Sequence, residues 1–233
     1  MLAIIIGSGF EYKVDGEEMN INTRYGTVSV IRVDKVIFLK RHTKLGVPPH
    51  KVNHKANIMA LKKLNVNNVI GINSVGSLKL KIKPGTIVLP HDYLNLNRIL
   101  TFFNTRAVHI TPNLSEKLRN FIIKIAQTLK IELITQAVYV QTMGPRLETK
   151  AEINFFKDYA DIVGMTMANE ATLAKELNLG YASICSVDNY AHGIAKSLTM
   201  EEIKHNQKVN SKKISKLIEG IIDEYINKGC HFR

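Results

Sequence analysis

Tryptophan is absent from the 233-residue chain, and cysteine occurs only twice. No apolar run approaches the roughly 18 residues that a bilayer-spanning helix requires. Cys185 and Cys230 have no paired spacing, which excludes a zinc site or a disulfide framework built on cysteine. Cys185 closes the apolar run Tyr181-Ala-Ser-Ile-Cys185 and is expected to be a buried core thiol. Neither cysteine can be given a role. The opening Met1-Leu-Ala-Ile-Ile-Ile-Gly7 has neither the basic leader nor the cleavage site of a signal peptide, so a soluble cytoplasmic protein is expected, with no membrane partner. Repeats, low-complexity tracts and linkers are also missing. Residues 1–233 therefore read as a single domain, and 45% hydrophobic with 22% charged residues is globular usage.

The formal net charge of +12 raises the possibility of a nucleic-acid-binding protein. That class requires a continuous basic face interleaved with stacking aromatics. Here Lys and Arg are scattered, with only short groups at 79–83 and 212–216, and the aromatics are dispersed. A basic surface that maintains solubility and attracts anionic small molecules is the simpler reading, with no nucleic acid as partner.

Apolar runs predict strands at 2–6, 28–33, 36–39, 69–73, 86–89, 134–140, 162–165 and 179–185. Several are apolar throughout, as strands covered on both faces are. Helical periodicity alternates with them at 53–64, 114–129, 149–157, 169–177 and 199–226, with Glu201 and Glu202 suited to the positive start of the last helix. The alternation predicts an α/β domain with a central mixed β-sheet flanked by helices.

Polar and small residues follow these strands at the places where α/β sheets collect ligands. Gly7-Ser8-Gly9 lets backbone amides approach an anion, but lacks the remaining glycine of a dinucleotide fingerprint and the lysine of a P-loop. Arg41-His42 offers a guanidinium fork and an imidazole donor. Asn73-Ser74-Val75-Gly76-Ser77 is expected to be a second small-residue loop of backbone donors. Gly144-Pro145-Arg146-Leu147-Glu148-Thr149 leads into a helix, where Glu148 could serve merely as a cap. Gly164-Met165-Thr166 and Ser186-Val187-Asp188-Asn189-Tyr190-Ala191 close two further strands. His50 and His54 are four apart but have no nearby acidic third ligand, so no metal site is expected.

In order and spacing, these segments resemble the trimeric purine nucleoside phosphorylase and 5′-methylthioadenosine phosphorylase family. Lys51-Val52-Asn53, Pro84-Gly85-Thr86 and Ala151-Glu152 extend the match over nearly the whole chain. The chain is shorter than usual members around 94–111 and at its C-terminus. The resemblance implies a nucleoside phosphorylase fold and a homotrimer or dimer of trimers. Inorganic phosphate would be the co-substrate, and no metal or organic cofactor would be needed. It implies phosphate held by Ser8, Arg41, His42, the backbone of Ser74, and Thr166, and a base near Val75, Gly76, Leu147, Glu148, Asn189 and Ala191. His42 and Asn189 would carry the catalysis. Met165 would lie beneath the ribose, Met200 would face its 5′ substituent, and His109 would reach a neighbouring subunit's sugar site. Glu148 and Asn189 are most similar to the residues of members acting on 6-oxopurines, and apolar Met200 suits a methylthio group. The expected substrate is thus 5′-methylthioinosine, with inosine and guanosine weaker. The alternatives are a 5′-methylthioadenosine phosphorylase and a hydrolytic nucleosidase, which would need a water-activating base instead of a phosphate cage.

Overall fold

A computed structural model of the protein describes residues 1–10, 12–43, 45–196 and 199–227; Cys230 lies outside these, as do Ser197 and Leu198. Strands β1 (Leu2–Ile6), β2 (Glu17–Thr23), β3 (Gly26–Val33), β4 (Val36–Lys40), β5 (Asn68–Ser77), β6 (Ile87–Val88), β7 (Asp92–Asn95), β8 (Val138–Gln141), β9 (Ile162–Gly164) and β10 (Gly180–Tyr190) form one mixed sheet. Its main path runs β2-β3-β4-β1-β5-β9-β8-β7, and β10 pairs with β5 and β6. Helices α1 (His54–Lys63), α2 (Glu116–Thr128), α3 (Lys150–Phe156), α4 (Met167–Glu176) and α5 (Met200–Asn227) complete the domain.

Strand β1 shows why the apolar runs are continuous. Side chains alternate across a strand, and Ala3 and Ile5 enter one core with α1 and α4 residues such as Ala56, Leu61, Met167 and Ala171. Leu2, Ile4 and Ile6 enter the other, with Leu118 and Ile122 of α2 and Leu217 and Ile218 of α5. Both faces of the central strands are covered, so hydrophobic alternation is lost.

The helix ends follow local chemistry. Thr149 caps α3 and forms a reciprocal capping box with Glu152, so the capping role open to Glu148 belongs to Glu152. Thr199 and Glu202 make the same exchange at the start of α5.

Several expected boundaries shift. Strands β2 and β7 form where no strand was expected. Only the end of 134–140 is a strand, with Ile134 making an isolated bridge to Val88. The most consequential shift concerns 73–77 and 186–190. Both are expected as loops, yet both belong to paired strands, because β5 and β10 run parallel for their whole length from Asn68↔Gly180 to Ser77↔Tyr190. The ligand groups there are held by a sheet ladder.

Candidate functional site

The parallel strands β1, β4, β5 and β10 point their carboxyl ends at a cavity of about 490 Å³. Ser8, Arg41, His42, Asn73, Ser74 and Thr166 line one end. Val75, Gly76, Leu147, Glu148, Val163, Asn189 and Ala191 line the other, with Met165 between.

Arg41 organises the first end. It is only 1% exposed, and its Nε and Nη2 donate to the two carboxylate oxygens of Glu170 at 2.6 and 2.9 Å. Its Nη1 donates to the Ile72 carbonyl at 2.7 Å. Glu170, on α4 and fully buried, also accepts from the Tyr181 hydroxyl at 2.8 Å. Burial opposes both charges, and pairing more than offsets it: the Glu170 carboxyl is held below its ordinary range and the Arg41 guanidinium is made more basic. Gly7 is required here, because a Cβ would stand 2.2 Å from Arg41 Nη1 and 2.3 Å from the Ile72 carbonyl oxygen. The expected free fork is therefore corrected. A guanidinium has five N–H donors, Glu170 and Ile72 take three, and only the remainder can face an anion.

His42 also differs from expectation. Its Nδ1 lies 2.7 Å from the Val47 carbonyl, and burial, with Arg41 adding, pushes its pKa below the ordinary value. The neutral ring then donates Nδ1–H to Val47 and presents Nε2 as an acceptor, not the donor expected. His54 is buried nearby with its Nδ1 3.8 Å from Glu170 and no hydrogen bond on either ring nitrogen. Burial, aided by Arg41 and His42, pushes it down to about 4.

Thr166 stands at the N-cap of α4 without capping it, and its hydroxyl donates to Asn73 Oδ1 at 2.9 Å. Asn73 is anchored in turn by its Nδ2 on Ser183 Oγ at 2.7 Å. At the start of α4 the Thr166 and Met167 N–H groups donate to the Tyr139 hydroxyl at 3.3 and 3.4 Å and that of Asn169 to Gln141 Oε1 at 3.2 Å, so the helix favours an anion at this end of the cavity through its dipole and not through free donors.

At the other end, Glu148 is 9% exposed and its Oε1 accepts from the Thr142 hydroxyl at 2.6 Å, leaving Oε2 for a ligand. Asn189 donates one Nδ2 hydrogen to the Tyr190 carbonyl at 2.7 Å, leaving the other and its Oδ1. Gly76 lets the slot stay narrow: a Cβ there would meet Val163 at 3.3 Å and Ala191 at 3.6 Å. Met165 packs on Gly144, whose φ of +64° disfavours any other residue and where a Cβ would stand 2.6 Å from the Met165 sulfur and push it aside. Leu147 stands 72% exposed at the mouth.

One expected residue is elsewhere. Met200 is 66% exposed on the first turn of α5 and does not line the cavity. Ile203 does, because residues three apart share a helix face and Ile203 lies one turn further in. His109 is exposed in an irregular segment and does not reach the cavity of its own chain. Sequence reasoning missed Pro49, Asn73, Val163, Gly164, Tyr190, His192, Ala195 and Ile203 as lining residues. Ile203 was legible as the helical neighbour of Met200, and His192 as the residue after Ala191; Val163 carried only core apolarity. Cys185 is fully buried, and burial raises its thiol to about 12.

An anion-suited end of hydroxyls, one guanidinium and a helix start abuts a narrow slot that ends in an amide and a carboxylate. This is the class of site an enzyme needs to bring an oxyanion against a flat, polar-edged ring. The chain belongs to the Phosphorylase superfamily, whose family model matches residues 1–223. It is 44% identical over 229 residues to a probable 6-oxopurine nucleoside phosphorylase of Archaeoglobus fulgidus, covering 94% of each chain. It is 42% identical over 234 residues to a probable S-methyl-5′-thioinosine phosphorylase of Methanocaldococcus jannaschii, covering 96% of this chain and 92% of that one. Among solved structures, a methylthioadenosine phosphorylase from an antarctic soil metagenomic library superimposes with a TM-score of 0.87 at 28% identity, covering 99% of this chain and 88% of the other.

Proposed function

We propose that the protein is a pentosyltransferase that uses inorganic phosphate to split a 6-oxopurine nucleoside, releasing the base and a ribose 1-phosphate. The 5′-methylthio nucleoside is preferred, and inosine and guanosine are weaker substrates. The observation that carries this reading is the pairing of Glu148 Oε2 and the free Asn189 amide groups in one slot, directly beyond the cage of Ser8, Arg41, His42, Ser74 and Thr166. The relatives named above support it.

In this reading the two remaining Arg41 N–H groups, the Ser8 hydroxyl and the positive end of the α4 dipole hold phosphate beside Thr166, whose own hydroxyl proton is committed to Asn73, and neutral His42 accepts the phosphate hydroxyl proton at Nε2. Placing the nucleophile against C1′ is a proximity effect. Met165 supports the ribose from below. As the glycosidic bond breaks, electron density flows into the purine, and the remaining Asn189 N–H donates to N7 where that charge collects. Glu148 accepts N1–H, a proton that adenine lacks at that position. Phosphate is a co-substrate, and no metal or organic cofactor takes part.

The apolar neighbours Leu147 and Met143, 72% and 56% exposed, support burial against another copy of the chain in a homotrimer or a dimer of trimers. His109 would then serve a neighbour's sugar site. No helix among the described residues is long and apolar enough to cross a membrane, and a cytoplasmic location is part of this proposal.

The test is base release from 5′-methylthioinosine, inosine, guanosine and 5′-methylthioadenosine, with and without phosphate, followed by chromatography. Release that requires phosphate, with 6-oxopurines ahead of adenine, is the expected result. Equal release without phosphate makes the protein a nucleosidase, and faster turnover of the adenine nucleoside makes it a methylthioadenosine phosphorylase. Asn189→Asp should move preference toward adenine by about 10- to 100-fold, since one satisfied pair becomes an unpaired buried group.

A further inference from the structure

Behind the anion end of the cavity lies a carboxyl group that the mechanism above does not use. Asp188 is 1% exposed and sits at a register shift in β10: Val187 pairs with Val75 and Asn189 with Gly76, leaving Asp188 without a partner in the ladder. Such a bulge re-aims a side chain. Here it directs the carboxyl at the back of the cage. Oδ2 accepts from the hydroxyl of Ser74, itself a lining residue, and from Gln207 Nε2 at 3.0 Å; Oδ1 accepts from Ser186. Asn206 donates to the Asp188 backbone carbonyl at 3.2 Å. A Cβ on Gly9 would stand 3.7 Å from Oδ2, so the loop after β1 abuts the same carboxyl.

Among the described residues, the groups seen facing Asp188 are neutral: Ser74 from β5, Ser186 from β10, Gln207 and Asn206 from α5, and Gly9. On α5 the nearest titratable residues in sequence are His205 and Lys208, and after β4 they are Arg41 and His42, with Arg41 committed to Glu170. Burial among neutral groups disfavours the ionised carboxylate relative to the protonated one. Burial raises the Asp188 carboxyl from its ordinary value despite these hydrogen bonds.

Resting on the phosphate site proposed above, we infer that Asp188 is a positioning residue that sets the direction of the Ser74 hydroxyl. While Asp188 is ionised, it can only accept, so Ser74 must donate its proton backward and turns a lone pair toward the bound anion. When Asp188 is protonated, it donates to Ser74, and the Ser74 hydroxyl donates forward to phosphate. The proton stays within the Asp188–Ser74 pair, and no bond to substrate is made or broken by Asp188.

The test is the KM for phosphate from pH 5.5 to 8.5 in the intact protein, Asp188→Asn and Ser74→Ala, with the KM for nucleoside as internal reference and thermal melting as a fold check. Phosphate's own second ionisation is common to all three. The inference expects wild-type KM for phosphate to rise with pH beyond that shared change. Asp188→Asn, which always has a donor for Ser74, should bind phosphate about three- to tenfold more tightly at pH 8, the worth of one neutral hydrogen bond. Ser74→Ala should be flat and weak. A wild-type slope preserved in either variant, or a uniform loss in kcat without a change of slope in Asp188→Asn, overturns it. Should Asp188→Asn fail to fold, Ser74→Ala alone decides. Base release independent of phosphate in the wild-type protein is a different outcome and overturns the phosphorolytic reading itself.

Discussion

The two ends of the cavity are built on opposite terms. At the anion end nearly every polar group is satisfied before any ligand arrives: Arg41 by Glu170 and Ile72, Glu170 also by Tyr181, Thr166 by Asn73, and Asn73 by Ser183. Arg41, Glu170 and Asn73 are at most 3% exposed. At the nucleoside end Leu147 is open to solvent, Glu148 and Asn189 each keep unused hydrogen-bonding capacity, and Ile203 comes from a long helix whose first turn is exposed. Preorganised charge is effective because it needs no rearrangement as the reaction proceeds. The rigid end thus suits the step common to all substrates, and the open end suits choosing among them.

The strongest challenge to this contrast is to unbalance the rigid end. Glu170→Ala should leave a buried, unpaired guanidinium and cost about 3–5 kcal/mol, read as a lower midpoint in urea. Replacing both partners, Arg41→Met with Glu170→Leu, should recover most of that stability, since the cost lies in the orphaned charge. Phosphate-dependent base release should stay lost. If the double variant still uses phosphate at wild-type KM, the anion is not held through Arg41.

That pair also shows how far the sequence could be read. Both partners stand in recognisable segments, Arg41 after an apolar strand and Glu170 five residues after Met165, yet they are 129 positions apart and nothing local announces that they meet. Without the partner, Arg41 reads as an open fork. The fold was more legible, because two-sided burial leaves apolar runs such as Leu2–Ile6 and helix periodicity survives in α2. The edge strand β2 was not, since Glu17-Glu18-Met19-Asn20-Ile21-Asn22-Thr23 has only two apolar residues and neither is fully buried. The 73–77 segment looked like a loop because small and polar residues mark turns in isolation. Its pairing with β10 is a long-range fact.

A smaller effect follows from His54, which lies beside the same ion pair. Its folded pKa of about 4 is below the ordinary value of 6.5. Between those values the unfolded chain takes up a proton that the folded protein refuses, so stability falls as pH drops from 6.5 toward 4. The full span is worth about 3 kcal/mol at 1.36 kcal/mol per unit. The lowered pKa of His42 acts in the same direction. Glu170 and Glu152 are lowered too, but their stabilisation is lost only below the ordinary carboxylate range. Asp188, with its raised pKa, opposes the trend, because the folded state binds that proton first. Urea midpoints measured from pH 7 to 4.5 should show the decline, and His54→Gln should flatten most of it. An unchanged slope in that variant would mean that His54 is solvated, and with it the ion pair.

The smallest expected effect tests the open end. Ile203 is half-buried and lines the cavity beside Ala195, whereas Met200, one turn earlier on the same helix, is 66% exposed. An apolar wall distinguishes a 5′-methylthio group from a hydroxyl only through lost packing, and a methyl-sized difference in such a pocket is worth about 1–3 kcal/mol, or about 10- to 200-fold. Ile203→Ala should therefore lower the ratio of kcat/KM for 5′-methylthioinosine over inosine within that range, mainly by reducing turnover of the methylthio substrate. Met200→Ala should leave the ratio where it was, since its side chain makes no wall. The cage is untouched in both variants, so the KM for phosphate should hold at its wild-type value. If Met200→Ala collapses the ratio instead, the first turn of α5 closes over the substrate, and the 5′ pocket is completed only when nucleoside binds.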